Sequence, residues 1–144
     1  MESRDRTIDT RCTDAFFYGL FMDVDVLRAH DVEPANPRRA CVDGFALRIG
    51  RRATLLPRSG ARAYGMLITL SCADLDRLYA GSDLTAYRAE TVLARLLTGG
   101  SAPALCYNLP RAPEAHERNS DYVARLQAVL RKLDFPADYV ASLA

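Results

Sequence analysis

Apolar residues recur along this chain in short runs and alternations, a pattern that is typical of β-strands. The aromatic run of residues 15–19 predicts a buried strand. Alternation in residues 40–50, with Gly44 suited to a bulge, predicts a second strand. Residues 53–70 predict a short strand, a turn at Pro57–Gly60 and then a long strand.

Two other segments complete the predicted sheet. Residues 33–40 contain two prolines three positions apart, which interrupt regular pairing, so they predict a loop. Residues 87–109 predict a hairpin, because two apolar stretches flank the turn residues Thr98–Gly100.

Helices are predicted from capping residues and apolar spacing. Asp23 is suited to cap a short helix that reaches Ala29. Ser71 and Asp74 resemble an N-cap and its acidic partner three residues later, and Gly81 would end that second helix.

The strongest helical pattern follows Asn119 or Ser120, either of which is suited to be its N-cap. Pro136 stops this helix, and residues 137–144 predict one or two further helical turns. Its apolar stripe consists of Tyr122, Leu126, Val129, Leu130 and Leu133.

Together these elements predict an α+β fold, a small mixed β-barrel of about six strands with flanking helices. Residues 1–13 are polar and of mixed charge, so we expect a flexible N-terminal tail. Residues 14–144 are expected to form a single domain, because 144 residues suffice for one hydrophobic core.

Charge and hydropathy narrow the classes of partner. The net charge is +1 and basic residues are scattered among acids, which argues against a nucleic-acid partner. The longest apolar run, residues 16–22, is too short to cross a bilayer, and residues 1–13 lack the apolar region of a signal peptide. We therefore expect a cytoplasmic protein with no membrane partner.

The cysteines give no sign of a metal or redox site. Cys12, Cys41, Cys72 and Cys106 are about thirty residues apart and form no C-x-x-C pair. Buried structural thiols are the favoured interpretation, over a catalytic pairing with His30 or His116. No metal and no organic cofactor is predicted.

The order of short motifs resembles the gamma-glutamylcyclotransferase-like superfamily over residues 14–142. No single motif is specific, but the ordered set is. The motifs are the aromatic turn Phe17-Tyr18-Gly19-Leu20, the segment Asp43–Ile49, the strand Ala63–Ser71, the pair Tyr87-Arg88, the strand end "ALCYNLP" and a tail with "FPADYV".

The resemblance implies a barrel fold and a substrate site at its mouth. There the backbone N–H groups of Tyr18, Gly19, Leu20 and Phe21 would bind the α-carboxylate of a γ-glutamyl compound, since a glycine lets the backbone approach an anion closely. The implied reaction is intramolecular, with the α-amine attacking the γ-amide carbonyl and releasing 5-oxoproline and an amine. Without the resemblance, this stretch reads as a buried strand that meets a tight turn.

The sequence departs from the superfamily where the catalytic acid is expected. In the superfamily a Glu in an L-D-x-x-E pattern takes the proton from the α-ammonium and returns one to the leaving amine. Placed on Leu78–Ser82, the pattern has Tyr79 at the Asp position and Ser82 at the Glu position. A serine hydroxyl cannot act as this base unaided, so Ser82 is expected to contact substrate only.

Two nearby carboxylates are candidates to replace the missing Glu. Asp83 is one residue further along the chain, and it would otherwise be a solvated turn residue. Glu90 starts an apolar strand and would serve if it points into the barrel; otherwise it faces outward and pairs with Arg88 or Arg95.

Other polar side chains are candidates to line the pocket. Tyr87 and Tyr107 could each give a phenolic hydrogen bond, although core packing explains them equally well. Arg51 and Arg52 could hold a substrate carboxylate or could form a solvated face.

Two functions follow as hypotheses. One is a gamma-glutamylcyclotransferase-like enzyme that acts on a small γ-glutamyl compound, with Asp83 or Glu90 as the base. The other is a catalytically inactive relative that binds a small amino-acid-like ligand or serves as an interaction domain. The sequence does not predict the oligomeric state.

Overall fold

The described residues, 11–81 and 84–144 of a computed structural model, contain five strands closed into a barrel. The strand order around the barrel is β1-β3-β2-β4-β5, and a parallel pairing of Ala15 with Leu105 closes β5 on β1. All other pairings are antiparallel. The predicted small α+β barrel is therefore confirmed. The strands are β1 (Cys12–Phe17), β2 (Ala35–Ile49), β3 (Ala53–Ser71), β4 (Arg88–Leu96) and β5 (Ser101–Asn108).

The barrel has one strand fewer than expected because β3 does not break at Pro57–Gly60. The predicted turn is wrong: Pro57 pairs with Phe45, and the chain instead reverses at residues 50–52. A register shift lies at the expected position, between Asp43 and Phe45 with Gly44 at φ +84°, but its extra residues, 58–61, belong to β3. The bulge lets the paired arm continue past the proline.

Two other boundaries differ from the sequence-based expectation. The loop predicted at residues 33–40 is largely the start of β2, where a register shift between Ala35 and Arg38 leaves the intervening proline outside the ladder. β1 begins at Cys12 and ends at Phe17, because its first residues pair with β3 although they are exposed or half-buried and carry no apolar signal. Residues 1–10 of the predicted tail lie outside the described residues.

Within the described residues, four helices and one 3-10 turn (Leu20–Met22) flank the barrel, and the three predicted N-caps are confirmed. The second helix ends at Leu78 with Tyr79 as its C-cap, ahead of the predicted Gly81. The Asp23 carboxylate accepts from the Asp25 N–H at 3.0 Å. Asn119, of the two candidates, accepts from the Tyr122 N–H at 3.1 Å, and Ser71 accepts from the Asp74 N–H at 3.0 Å. The helices are α1 (Val24–Ala29), α2 (Cys72–Leu78), α3 (Ser120–Lys132) and α4 (Ala137–Ser142).

The predicted apolar stripe fixes α3 against the barrel. Leu126 and Leu130 are fully buried, and the other three stripe residues pack against the core. Each fully buried leucine contributes roughly 1.5–3 kcal/mol. The N-terminal turn of α3 is thereby held over the chain segment that leaves β1, where the candidate site lies.

Candidate functional site

A cavity of about 210 Å³ lies at the barrel end where the chain leaves β1, and we call it the aromatic cavity. Six aromatic side chains border it: Phe17, Tyr18, Phe21, Tyr79, Tyr87 and Tyr122. The remaining described lining is formed by Gly19, Leu20, Arg51, Arg52, Ala53 and Leu84. The predicted substrate-binding segment, residues 18–21, thus lies in the wall of this cavity together with Tyr87.

Tyrosine hydroxyls on the cavity wall are bonded to backbone carbonyls. Tyr18 Oη donates to the carbonyl oxygen of Tyr107 at 2.7 Å and lies 3.4 Å from that of Ala53. Tyr87 Oη donates to the same Ala53 carbonyl at 2.5 Å. These bonds tie the end of β1 to β3 and β5, so the two rings hold the shape of the cavity.

Gly19 makes room for a tyrosine hydroxyl from α3. A Cβ atom at Gly19 would lie 2.3 Å from Tyr122 Oη, and the same hydroxyl accepts from the Leu20 N–H at 3.4 Å. Gly19 has an extended backbone, with φ −114° and ψ −151°, so this close contact is what requires glycine. No described residue accepts a hydrogen bond from the backbone N–H group of Gly19 or that of Phe21, and both residues line the cavity.

Tyr79, the residue after α2, occupies the centre of the aromatic cluster. Its ring stacks on Tyr107 with centroids 3.9 Å apart and planes 7° apart. Phe21 and Tyr87 approach it edge-on at 5.8 and 5.9 Å. Tyr107 therefore packs behind Tyr79. The sequence predicted that Tyr107 lines the cavity, but it is not among the described lining residues.

Tyr79 also suggests a better placement of the L-D-x-x-E pattern. On residues 75–79 the pattern keeps both Leu75 and Asp76 and puts Tyr79 at the Glu position. On residues 78–82 it keeps a single match, Leu78. The sequence-based placement missed Tyr79 as a site residue, although "LDRLY" carried the signal.

Burial keeps the cavity tyrosines protonated. Desolvation raises the pKa values of Tyr18 and Tyr79 well above the usual tyrosine range, and neighbouring ionisable groups raise them further. Desolvation also raises the pKa values of Tyr87 and Tyr122. A phenol with a raised pKa stays neutral near pH 7 and cannot replace a carboxylate as a proton acceptor.

Glu90 lies outside the aromatic cavity. It stands opposite Cys106 in the β4–β5 ladder, its residue is exposed, and its carboxylate accepts from Asn108 Nδ2 at 2.7 Å. Asn108 is itself buried, and its side-chain oxygen accepts from the Leu55 N–H at 3.1 Å. The bond from Asn108 replaces the arginine pairing considered from sequence. The other two predicted site residues in this region, Ser82 and Asp83, lie outside the described residues.

Two arginines belong to the lining of the cavity. Arg51 and Arg52 form the β2–β3 turn, and the charge of Arg52 acts on Tyr87. The turn is anchored to the segment before α3, because the Arg51 N–H donates to Glu117 Oε1 at 2.8 Å and Asn119 Nδ2 donates to the Arg51 carbonyl at 3.2 Å. No carboxylate is present among the described lining residues.

The cysteines and histidines form no metal site in the part of the chain that the structure describes. No group of three His, Cys, Asp or Glu side chains there could hold a metal ion. Cys41 and Cys106 are buried as expected, and burial raises the pKa of the Cys106 thiol to about 12. Cys12 is exposed and Cys72 half-buried, so the expectation of buried thiols is wrong for these two.

Comparison with known proteins supports the fold and not more. No protein-family model matches the chain, and no curated protein matches it. A solved structure named gamma-glutamyl cyclotransferase is 15% identical, with a TM-score of 0.77 over 93% of this chain and 89% of that one. The human uncharacterized protein loc79017 is also 15% identical, with a TM-score of 0.75 over 92% and 88%. A mouse AIG2-like protein is 19% identical, with a TM-score of 0.58 over 77% and 90%.

The chain therefore has the gamma-glutamyl cyclotransferase-like fold, as the order of its motifs indicated. Within the described residues, no helix combines the length and the apolar character needed to cross a membrane.

Proposed function

We propose that the aromatic cavity binds a small amino-acid-like carboxylate and holds it without cyclising it. One observation carries the proposal: the described lining combines Arg51 and Arg52 with six aromatic rings and includes no carboxylate. It is a site with donors for an anion and apolar walls for the rest of a ligand. Such a combination of apolar lining and few polar groups is typical of small-molecule sites.

The size and the charge of the cavity favour an amino-acid-sized anion. Its volume of about 210 Å³ is below the roughly 300–1,000 Å³ of sites for drug-sized ligands. A guanidinium group binds a carboxylate through charge-assisted, bidentate hydrogen bonds. The N–H groups of Gly19 and Phe21, which have no described acceptor, are further donors on the same wall.

The lack of a described base argues against cyclisation. Ring closure requires a group that removes a proton from the α-ammonium and later protonates the leaving amine. If the pattern is placed on residues 75–79, Tyr79 takes the position of that Glu, and the raised pKa of Tyr79 keeps it neutral. Glu90 is exposed and lies outside the cavity lining.

A cyclotransferase-type lyase is the second candidate, favoured by the fold and by the position of Leu84. Leu84 lines the cavity, and Asp83 directly precedes it in sequence. In this alternative the α-amine nitrogen bonds to the γ-carbonyl carbon and the amide C–N bond breaks. Asp83 carries the proton from the α-ammonium to the departing amine, and the products are 5-oxoproline and the free amine.

Calorimetry and product analysis together test both candidates. The purified chain is titrated with L-glutamate, 5-oxoproline and a panel of γ-glutamyl amides, and each mixture is analysed by mass spectrometry for 5-oxoproline. Arg52→Gln is compared with Arg58→Gln, a matched control because Arg58 lies on β3 and does not line the aromatic cavity. We expect binding of at least one carboxylate, weakened about tenfold or more by Arg52→Gln and unchanged by Arg58→Gln, with no 5-oxoproline formed.

Each other outcome changes the conclusion in a defined way. Release of 5-oxoproline that disappears in Asp83→Asn would establish the lyase and overturn the binding-only proposal. Binding that is equally weakened by Arg58→Gln would move the site away from the aromatic cavity. Absence of both binding and release would reject both candidates.

A further inference from the structure

The walls of the aromatic cavity consist mainly of aromatic rings, and several of their hydroxyl groups are already hydrogen-bonded within the protein. The hydroxyls of Tyr18 and Tyr87 are bonded to backbone carbonyls, and that of Tyr122 accepts from the Leu20 N–H. Tyr107 covers one face of Tyr79, and Tyr79 itself lines the cavity. A ligand inside therefore meets several aromatic rings.

Ring surfaces of this kind attract cations. The face of a tyrosine or phenylalanine ring carries partial negative charge, and a cation within about 6 Å of the ring centroid is bound more tightly when water is excluded. The rings here are neighbours, with centroids 5.8 Å apart for Phe21 and Tyr79 and 5.9 Å apart for Tyr79 and Tyr87. One cation can thus contact several of them at once.

The type of cation follows from what the described lining lacks. A primary ammonium has three N–H donors, and burying them without acceptors is costly. The described lining contains no carboxylate, and the Ala53 carbonyl already accepts from the Tyr87 hydroxyl. A trimethylated ammonium has no such requirement, because it has no N–H donor and its methyl groups spread the charge.

We propose that the preferred ligand is a compact zwitterion whose methylated ammonium lies among the rings of Phe21, Tyr79 and Tyr87 and whose carboxylate is bound by Arg51 and Arg52. This inference rests on the proposed binding function and names its ligand class. The rings account for the cationic end and the arginines for the anionic end, so both charges leave water with a partner.

Four probes separate the two ends of the ligand by calorimetry. Glycine betaine carries both charges; 3,3-dimethylbutyrate has the same shape without the positive charge; choline lacks the carboxylate; and alanine has a primary ammonium. We expect glycine betaine to bind at least about threefold, and up to about thirtyfold, more tightly than 3,3-dimethylbutyrate. Choline and alanine should both bind more weakly than glycine betaine.

Two substitutions at one position test the role of the rings. Tyr79→Phe keeps an aromatic ring and should keep the preference for glycine betaine over 3,3-dimethylbutyrate. Tyr79→Leu keeps apolar bulk without a ring and should reduce that preference at least about twofold. If Tyr79→Leu fails to fold, Tyr87→Leu is compared with Tyr87→Phe in the same way.

Failure of this inference is distinguishable from failure of the proposed function. Equal binding of glycine betaine and 3,3-dimethylbutyrate, or tighter binding of alanine, would overturn the zwitterion proposal while a carboxylate site remained. A preference that Tyr79→Leu leaves unchanged would also overturn it. If none of the carboxylates binds, the proposed function itself fails.

Discussion

The hydroxyl oxygen of Tyr122 lies 2.3 Å from the position that a Cβ atom on Gly19 would occupy. The two residues are far apart in the chain, and α3 brings them together at the mouth of the barrel. The glycine thus accommodates a side chain of the protein itself, and the same hydroxyl satisfies the Leu20 N–H. This contact joins the predicted anion-binding turn to the longest helix.

A double-mutant cycle tests the contact between Gly19 and Tyr122. Gly19→Ala forces the hydroxyl away and should lower the free energy of unfolding by about 1–3 kcal/mol. In a Tyr122→Phe background the nearest ring atom, Cζ, is 3.7 Å from the new Cβ, so the same substitution should cost less by about 1 kcal/mol or more. Urea denaturation of the four proteins measures the coupling, and additive costs would contradict the account.

Gly65 is required by a backbone contact between β1 and β3. A Cβ there would lie 2.2 Å from the carbonyl oxygen of Phe17 and 2.9 Å from Phe16 Cζ. Because a strand backbone cannot move aside alone, Gly65→Ala should destabilise the protein by about 3 kcal/mol. Gly81→Ala is the matched control, since no atom of the described residues lies within 4 Å of that Cβ position, and it should be neutral or stabilising by about 0.5 kcal/mol. Thermal melting that shifts equally in both variants would refute this assignment.

The free energy of unfolding should fall at alkaline pH, because burial keeps two tyrosine phenols and one cysteine thiol protonated in the folded protein. The pKa values of Tyr18, Tyr79 and Cys106 are raised by burial, that of Cys106 from 9.0 to about 12. Below the unfolded-state pKa values this contribution is fully present. As the pH rises through the window between the unfolded and folded pKa values, the unfolded state loses protons first, and stability falls by up to about 1.4 kcal/mol per pH unit for each group.

Urea unfolding at several pH values between about 8 and about 11 measures this decline, and phenolate absorbance reports tyrosine ionisation. Ionisation should accompany unfolding. The slope should be shallower in Cys106→Ala, which lacks the buried Cys106 thiol. Tyrosines that ionise in the folded protein near pH 10, their ordinary range, would contradict the burial of these rings.

Removal of the Asn108 side chain should lower the free energy of unfolding, whereas neutralising Glu90 should leave it almost unchanged. Asn108→Ala leaves the Leu55 N–H without its acceptor and should cost about 2 kcal/mol. Glu90→Gln keeps an oxygen that can accept from Asn108 Nδ2, so its cost should stay within about 0.5 kcal/mol. Glu90→Gln should also leave ligand affinity unchanged, because Glu90 does not line the aromatic cavity. A loss of affinity in that variant, seen by calorimetry, would restore Glu90 as a site residue.

Local signals in the sequence predicted much of the fold. The caps at Asp23, Ser71 and Asn119 and the hairpin around residues 98–100 depend on neighbouring residues, and they are confirmed. The turn at Pro57–Gly60 was wrong because residues 58–61 form a bulge within β3 opposite Gly44, and pairing with β2 resumes at Arg62. Such cross-strand compensation has no local signature.

The candidate site could be predicted from the sequence only where its residues belong to local motifs. The turn Tyr18–Phe21 and Tyr87 were found because their motifs are local, and they line the cavity. Tyr122 was recognised only as a stripe residue, since its approach to Gly19 depends on how α3 packs. Tyr79 was visible in "LDRLY" and was missed through the choice of register.

The location of the bound ligand tests the central claim most directly. In a nitrogen–proton NMR titration with glycine betaine, followed by 3,3-dimethylbutyrate, saturable shifts should appear at the amides of Gly19, Phe21, Arg52 and Ala53. Shifts should be absent from a separate groove of about 590 Å³ whose lining includes Arg48, Arg58 and Arg118. Shifts confined to that groove, or no saturable shifts with either carboxylate, would contradict the assignment of the aromatic cavity as the binding site.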